Sequence, residues 1–219
     1  MHDSIQKYKD IVNSIKLKLE DQKVIKLPKI IAVSKTFSLD KILPLIEYGH
    51  LDYGENKVQE AIDKWTETKI KKQDIKLHLI GKLQTNKVKF ALKIFDYIHS
   101  LDSEKLAKKI ADEQLKQNKK VNIFIQINLG NEEQKSGISK NQINEFYKYC
   151  KNLNLNIIGL MCIPPVEDNP DQYFKELNLL NQKLDLKDLS MGMSSDYLNA
   201  AQNHSTYLRI GSSIFGKRD

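Results

Sequence analysis

Apolar residues follow two alternating rhythms along this chain. Short β-branched runs recur, the first being Ile30-Ile31-Ala32-Val33-Ser34-Lys35. They are too short for helices and too uniformly apolar for strands with one wet face, so they read as buried strands of a parallel sheet. Between them, apolar positions recur at helical spacing with lysine and acidic residues interposed, the pattern of helices covering such a sheet. Residues 4 to 20 predict the first helix, with Ile5, Val12, Ile15 and Leu19 inward. After the strand ending at Lys35, Ser38 reads as the N-cap of a helix carrying Leu39, Ile42, Leu43 and Ile46, closed by Gly49.

Later segments repeat this unit. Strands are predicted at residues 51–54, 77–80, 97–100, 121–127, 156–160, 188–190 and 207–210. Helices are predicted from Glu55-Asn56 with Val58, Ala61, Ile62 and Trp65 inward, from Asn86 to Phe95, and from Ser103 to Gln117 with Leu106, Ile110 and Leu115 inward. Further helices are expected over residues 139–151, 171–184 and 195–202, and Gly211-Ser212-Ser213 leads into a last turn. Eight strands separated by helices predict an α/β protein, a single (β/α)8 TIM barrel over residues 1–219. A doubly wound sheet is the alternative. The even spacing, and the lack of a Gly-x-Gly-x-x-Gly after the first strand, favour the barrel.

Composition narrows the function classes. With 40% hydrophobic and 29% charged residues, and no apolar run near the ~18 residues of a membrane span, the expectation is a soluble cytoplasmic protein without a membrane partner. The N-terminus lacks a signal-peptide core. Cys150 and Cys162 suggest neither a disulfide framework nor a zinc site. The net charge of +7 raises the possibility of nucleic acid, but of 35 basic residues only Arg209 and Arg218 are arginine. Arginine is the usual residue for bidentate phosphate and base contacts, so no nucleic-acid partner is expected. The same bias singles out the two arginines as places needing a planar, permanent cation.

In a barrel, residues just after each strand share one rim, where the chemistry collects. That rim would hold Lys35, Glu55-Asn56, Gly81, the loop Met191-Gly192-Met193-Ser194, and Arg209 with Gly211-Ser212. A lysine in a lysine-rich chain is ordinarily a solvated group. A desolvated amine at the rim could instead attack a carbonyl. The loops after strands seven and eight form the common phosphate site of such barrels. Gly211 permits close backbone approach, and Ser212 and Ser213 open a turn whose N–H groups can hold an anion. Ser194 is equally readable as a helix N-cap, and Arg209 as a salt bridge across the barrel mouth.

A lysine for an aldehyde and a glycine-serine site for a phosphate are together what pyridoxal 5'-phosphate requires. The motifs Ala32-Val33-Ser34-Lys35, Tyr53-Gly54-Glu55-Asn56-Lys57-Val58-Gln59-Glu60 and His78-Leu79-Ile80-Gly81-Lys82-Leu83-Gln84-Thr85-Asn86-Lys87 resemble those of the pyridoxal phosphate homeostasis protein family. So do Gly159-Leu160-Met161, Leu189-Ser190-Met191-Gly192-Met193-Ser194 and Arg209-Ile210-Gly211-Ser212-Ser213-Ile214-Phe215-Gly216, in the family's order. Tyr53 and Lys57 depart from it, standing where phenylalanine and another aromatic would be expected.

The resemblance implies a fold like the N-terminal barrel of alanine racemase, and pyridoxal phosphate bound as a Schiff base to Lys35. It implies that Arg209 faces the pyridine nitrogen and that Ser194, Gly211 and Ser212 hold the phosphate. Asn56 and Met193 would line the pocket, with His78 supporting it from behind. A guanidinium facing that nitrogen leaves it unprotonated and the ring a poorer electron sink, which fits racemase-like chemistry or none. Racemisation needs an acid-base group on each face of Cα, and alanine racemase takes its second from another domain. The chain closes soon after Gly216, so the expectation is a monomeric carrier without robust turnover, with pyridoxal phosphate-dependent apoenzymes as recipients. A pyridoxal phosphate-dependent amino-acid racemase is the alternative, and a cofactor-free Schiff-base lyase using Lys35 is a third.

Overall fold

The structure, a computed structural model, describes residues 2–22, 26–132 and 134–217; Arg218 lies outside them. Eight parallel strands pair in chain order into a closed barrel. They are β1 (Lys29–Val33), β2 (Asp52–Glu55), β3 (Lys76–Leu79), β4 (Tyr97–Leu101), β5 (Asn122–Ile127), β6 (Ile157–Cys162), β7 (Asp188–Ser190) and β8 (Tyr207–Ile210). Closure is made by β1 on β8, in register from Lys29 opposite Tyr207 to Ala32 opposite Ile210. The covering helices are α1 (Asp3–Leu19), α2 (Leu39–Glu47), α3 (Val58–Lys71), α4 (Val88–Ile94), α5 (Glu104–Gln117), α6 (Ile143–Asn152), α7 (Pro170–Lys183) and α8 (Tyr197–Gln202), with a last turn α9 (Ser212–Phe215). Among the described residues no helix is long and apolar enough to cross a membrane.

Strand alternation sorts the side chains into two cores. Ile30, Ala32, Tyr53, Leu77, Leu79, Ile98, Ile123, Ile125 and Leu208 face the helices and join the main apolar cluster. Ile31, Phe124, Met161 and Tyr207 form a smaller cluster inside the barrel. Polar side chains share that interior: His78, His99, Ser190 and Arg209 are all buried there.

Several boundaries differ from the sequence expectations. Glu55 does not open a helix. It is the last residue of β2, fully buried beneath α3, which begins at Val58. Leu115 is not inward but 83% exposed, because the buried face of α5 runs through Leu106, Ile110 and Gln114 at four-residue spacing. Leu43 likewise leaves the face of α2 to Ile42, Leu45 and Ile46. Ser38 occupies the N-cap position of α2 in extended conformation, but its side chain makes no capping bond.

Candidate functional site

Because all eight strands run the same way, the segments that follow them meet at one rim. Lys35 lies two residues beyond β1, half-buried, in a turn fixed from both sides. On one side, the Ser34 N–H donates to Gly54 O at 2.9 Å and the Ser34 hydroxyl to Glu55 Oε1 at 2.7 Å. Lys64 Nζ, from α3, donates to Ser34 O at 2.8 Å. On the other side, Thr36 takes a left-handed φ of 69°. The Thr36 N–H donates to Glu60 Oε1 at 2.6 Å, which helps hold that conformation. The lysine backbone is thus tied to β2 and α3 independently of its own side chain.

Glu55 anchors this arrangement. Its Oε1 also accepts from Trp65 Nε1 at 2.9 Å and Lys64 Nζ at 3.0 Å, while Oε2 is buried without a hydrogen-bond partner. Burial raises the carboxyl above its ordinary range, against the opposing pull of Trp65, Lys64 and Ser34. Sequence reading placed Glu55 on the rim; the structure puts it behind the sheet. The available signal was Lys64-Trp65 on the inward face of the following helix.

Beside the turn bearing Lys35, after β7 and β8, Ser194 Oγ accepts from the N–H groups of Gly211 and Ser213, each at 3.4 Å. The N-cap of α8 is Asp196, so Ser194 does not cap that helix. A Cβ on Gly211 would come within 3.2 Å of Val33 Cβ and Val33 O. The end of β8 therefore abuts the end of the strand that carries Lys35. In the loop after β7, Met193 is half-buried and its N–H donates to Asp196 Oδ1 at 2.6 Å. Asn56 and Gly81 pack backbone to backbone, where a Cβ on Gly81 would lie 2.4 Å from Asn56 O. With Lys82, Gln126, Asn128 and Ile163 they line a cavity of about 320 Å³. Another cavity, of about 620 Å³, lies at the opposite end of the barrel beside Lys29 and Tyr207, away from the rim residues.

Arg209 points into the barrel and is 4% exposed. Its Nη1 donates to Ser190 Oγ at 2.7 Å and its Nη2 to Cys162 O at 2.9 Å. Both acceptors are neutral, so Arg209 is not a salt-bridge strut of the mouth. Burial lowers its pKa, but a guanidinium starts so high that it keeps its proton. His78 lies deeper inside, with Nε2 3.0 Å from Asp52 Oδ1 and Nδ1 3.0 Å from His99 Nε2. His99 Nδ1 lies 2.7 Å from Ser190 Oγ. Burial pushes both imidazoles below their ordinary pKa, His99 well below it with added repulsion from His78 and Arg209. Burial raises the Asp52 carboxyl, but the hydrogen bond from His78 and the nearby Lys29 charge help outweigh it and hold the carboxyl below its ordinary range. Sequence reading missed Asp52, His99 and Ser190. For Asp52 and His99 the signal was a polar residue at an inward strand position.

Comparison with known proteins agrees with this fold. Residues 17–219 match the family of the alanine racemase N-terminal domain. The chain is 38% identical over 200 residues to a pyridoxal phosphate homeostasis protein from Aquifex aeolicus, covering 87% of each. PipY of Synechococcus elongatus, solved with pyridoxal phosphate bound, superposes with a TM-score of 0.82 at 30% identity, over 92% of this chain and 100% of that one. An alanine racemase from Clostridium difficile shares the fold alone, with a TM-score of 0.70 at 14% identity, and this chain covers 54% of it. A match over 87% of the chain to a homeostasis protein, on a barrel of the alanine racemase N-terminal type, makes this chain a member of the pyridoxal phosphate homeostasis protein family.

Proposed function

We propose that this protein binds pyridoxal 5'-phosphate at the C-terminal rim of the barrel and acts in its intracellular homeostasis, holding the cofactor and delivering it without robust turnover. In this reading residues 1–219 work as one domain, a cytoplasmic monomer whose partners are pyridoxal phosphate-dependent apoenzymes. The observation that supports it is that the ends of β1 and β8 abut, with Gly211 against Val33, so that the turn bearing Lys35 and the Ser194–Gly211–Ser213 cluster share one stretch of the rim. The donor set suits the cofactor. Backbone N–H groups that now hold only a neutral hydroxyl at 3.4 Å are matched to a phosphate, and Arg209 offers a permanent donor. When bound, the cofactor supplies an aldehyde for an amine and a ring that can take up electron density.

The chain's own residues then have distinct parts. Lys35 supplies the amine, Ser194, Gly211 and Ser212 the phosphate cradle, and Arg209 a fixed donor toward the pyridine nitrogen. Asn56 and Met193 line the walls. The direct test is an absorbance spectrum of the purified protein with added pyridoxal phosphate, before and after borohydride, followed by assay for D-amino acids. A reducible yellow complex without D-amino acid formation is the expected result. Racemisation of an added amino acid would make the protein an enzyme instead, and a colourless protein would remove the cofactor reading.

Ser194→Ala is expected to weaken pyridoxal phosphate binding by about 1–3 kcal/mol, the loss of one hydrogen bond to a charged group. Pyridoxal, which lacks the phosphate, should bind nearly as before. Equal losses in parallel titrations of the two ligands would mean that Ser194 only organises the loop.

A further inference from the structure

The barrel interior contains an unbroken hydrogen-bonded chain from Asp52 on β2 through His78, His99 and Ser190 to Arg209, with links of 3.0, 3.0, 2.7 and 2.7 Å. Its direction is fixed by chemistry. The Asp52 carboxylate only accepts, so His78 gives it the Nε2 proton; with both rings neutral each Nδ1 accepts, and Ser190 Oγ, accepting from Arg209, gives its own proton to His99 Nδ1. His99 must then carry its proton on Nε2 and donate to His78 Nδ1. His78 must carry its proton on Nε2 and donate to the Asp52 carboxylate. Burial of both rings opposes the charge that a second proton on either imidazole would bring.

The rings are also held in plane. His78 stacks on Tyr97 at 4.2 Å and 13°, and His99 on Phe124 at 4.4 Å and 22°. Tyr207 closes on both, 5.8 Å from His78 and 6.2 Å from His99. A rotation of either imidazole would break a stacked pair and two hydrogen bonds together.

We propose that Asp52, His78, His99 and Ser190 are positioning residues for Arg209, holding its guanidinium in one orientation at the floor of the rim site. The same chain places the balancing carboxylate at the far end of the barrel, where it cannot draw Arg209 off the ring nitrogen. This rests on the cofactor reading above, in which Arg209 faces that nitrogen. A carboxylate in direct contact with Arg209 would share its donors. A serine hydroxyl already committed to His99 takes one donor and leaves the charge intact.

The test has one arm without cofactor and one with it. In cofactor-free protein carrying 15N-labelled histidine, long-range proton–nitrogen spectra at neutral pH should show His78 and His99 both neutral and protonated on Nε2. A charged ring, or one protonated on Nδ1, would overturn the relay whatever the cofactor does. In the second arm, Ser190→Ala removes one oxygen and cuts the last link, and His99→Leu cuts the middle. Both are expected to shift the absorbance band of bound pyridoxal phosphate and loosen it about tenfold. His99→Gln, whose amide can accept from Ser190 and donate to His78, is expected to restore the parent band and affinity. If all three variants lower the melting temperature alike and leave the band unmoved, the residues serve stability alone and the proposal is wrong. If the parent fails to bind pyridoxal phosphate, the cofactor reading falls, and the histidine spectra still decide the relay.

Discussion

Replacing Lys35 with alanine is expected to abolish the pyridoxyl label that borohydride leaves on the loaded protein. In the parent, peptide mapping should find that label on the peptide containing Lys35. The chain is rich in lysine, so free amines compete for any aldehyde offered in excess. What distinguishes Lys35 is its frame. Ser34 is tied to β2 and Lys64, and Thr36 is tied to Glu60 on α3, so the intervening Cα cannot drift. A lysine whose backbone is fixed at the rim gains over surface lysines by proximity to a bound aldehyde. Lys35→Arg is the sharper control. It keeps the charge and much of the side-chain volume but offers no nucleophilic amine, so it should bind the cofactor reversibly and leave no label. A label found chiefly on another lysine of the parent would show that the frame serves something else.

The frame also explains what could and could not be read from sequence. The rim placement of Lys35, Ser194 and Gly211 was legible because each lies within four residues after a strand, and parallel strands deliver such residues to one rim. Glu55 was misplaced because a carboxylate next to a strand ordinarily marks exposure, whereas here Trp65, Lys64 and Ser34 together satisfy one of its oxygens. Leu115 was misread because α5 buries Gln114 instead, whose Oε1 accepts from the Val121 N–H at 2.9 Å at the start of the next strand. The interior relay was hidden for another reason. Its links join residues 26, 21 and 91 positions apart. Ser190 also lies in a strand of three residues, too short to show which side faces in. Only closure of the barrel brings these groups into line.

Lys64→Met is expected to cost about 3–5 kcal/mol of folding stability near pH 8, the usual penalty for removing one partner of a buried ion pair. Lys64 is 9% exposed and Glu55 0%, so little solvent screens the pair. In the parent, burial already raises the Glu55 carboxyl, and its Oε2 has no hydrogen-bond partner. Without the ammonium, the carboxylate must either stay charged in an apolar site or take up a proton. The sign of the pH effect follows. Between the ordinary carboxylate pKa and the raised folded value, the folded state binds more protons than the unfolded state. Stability from this group is therefore complete at low pH and is lost as pH rises through the folded pKa. Removing Lys64 raises that folded pKa further, so the penalty should shrink as pH is lowered toward the carboxylate range. Trp65, the single tryptophan, is fully buried against Tyr53 and donates to Glu55, so its fluorescence in urea reports the transition directly. A penalty below about 1 kcal/mol, or one that grows on acidification, would show that the pair is dispensable. Glu55→Leu in the Lys64→Met background should recover part of the loss, because it removes the buried carboxylate, although Glu60 still lacks Lys64 and Trp65 Nε1 loses its acceptor. It should not recover Lys35 labelling, since Lys64 Nζ also holds Ser34 O and Glu55 holds the Ser34 hydroxyl, and without both bonds the turn bearing Lys35 is left with those from Ser34 to Gly54 and from Thr36 to Glu60.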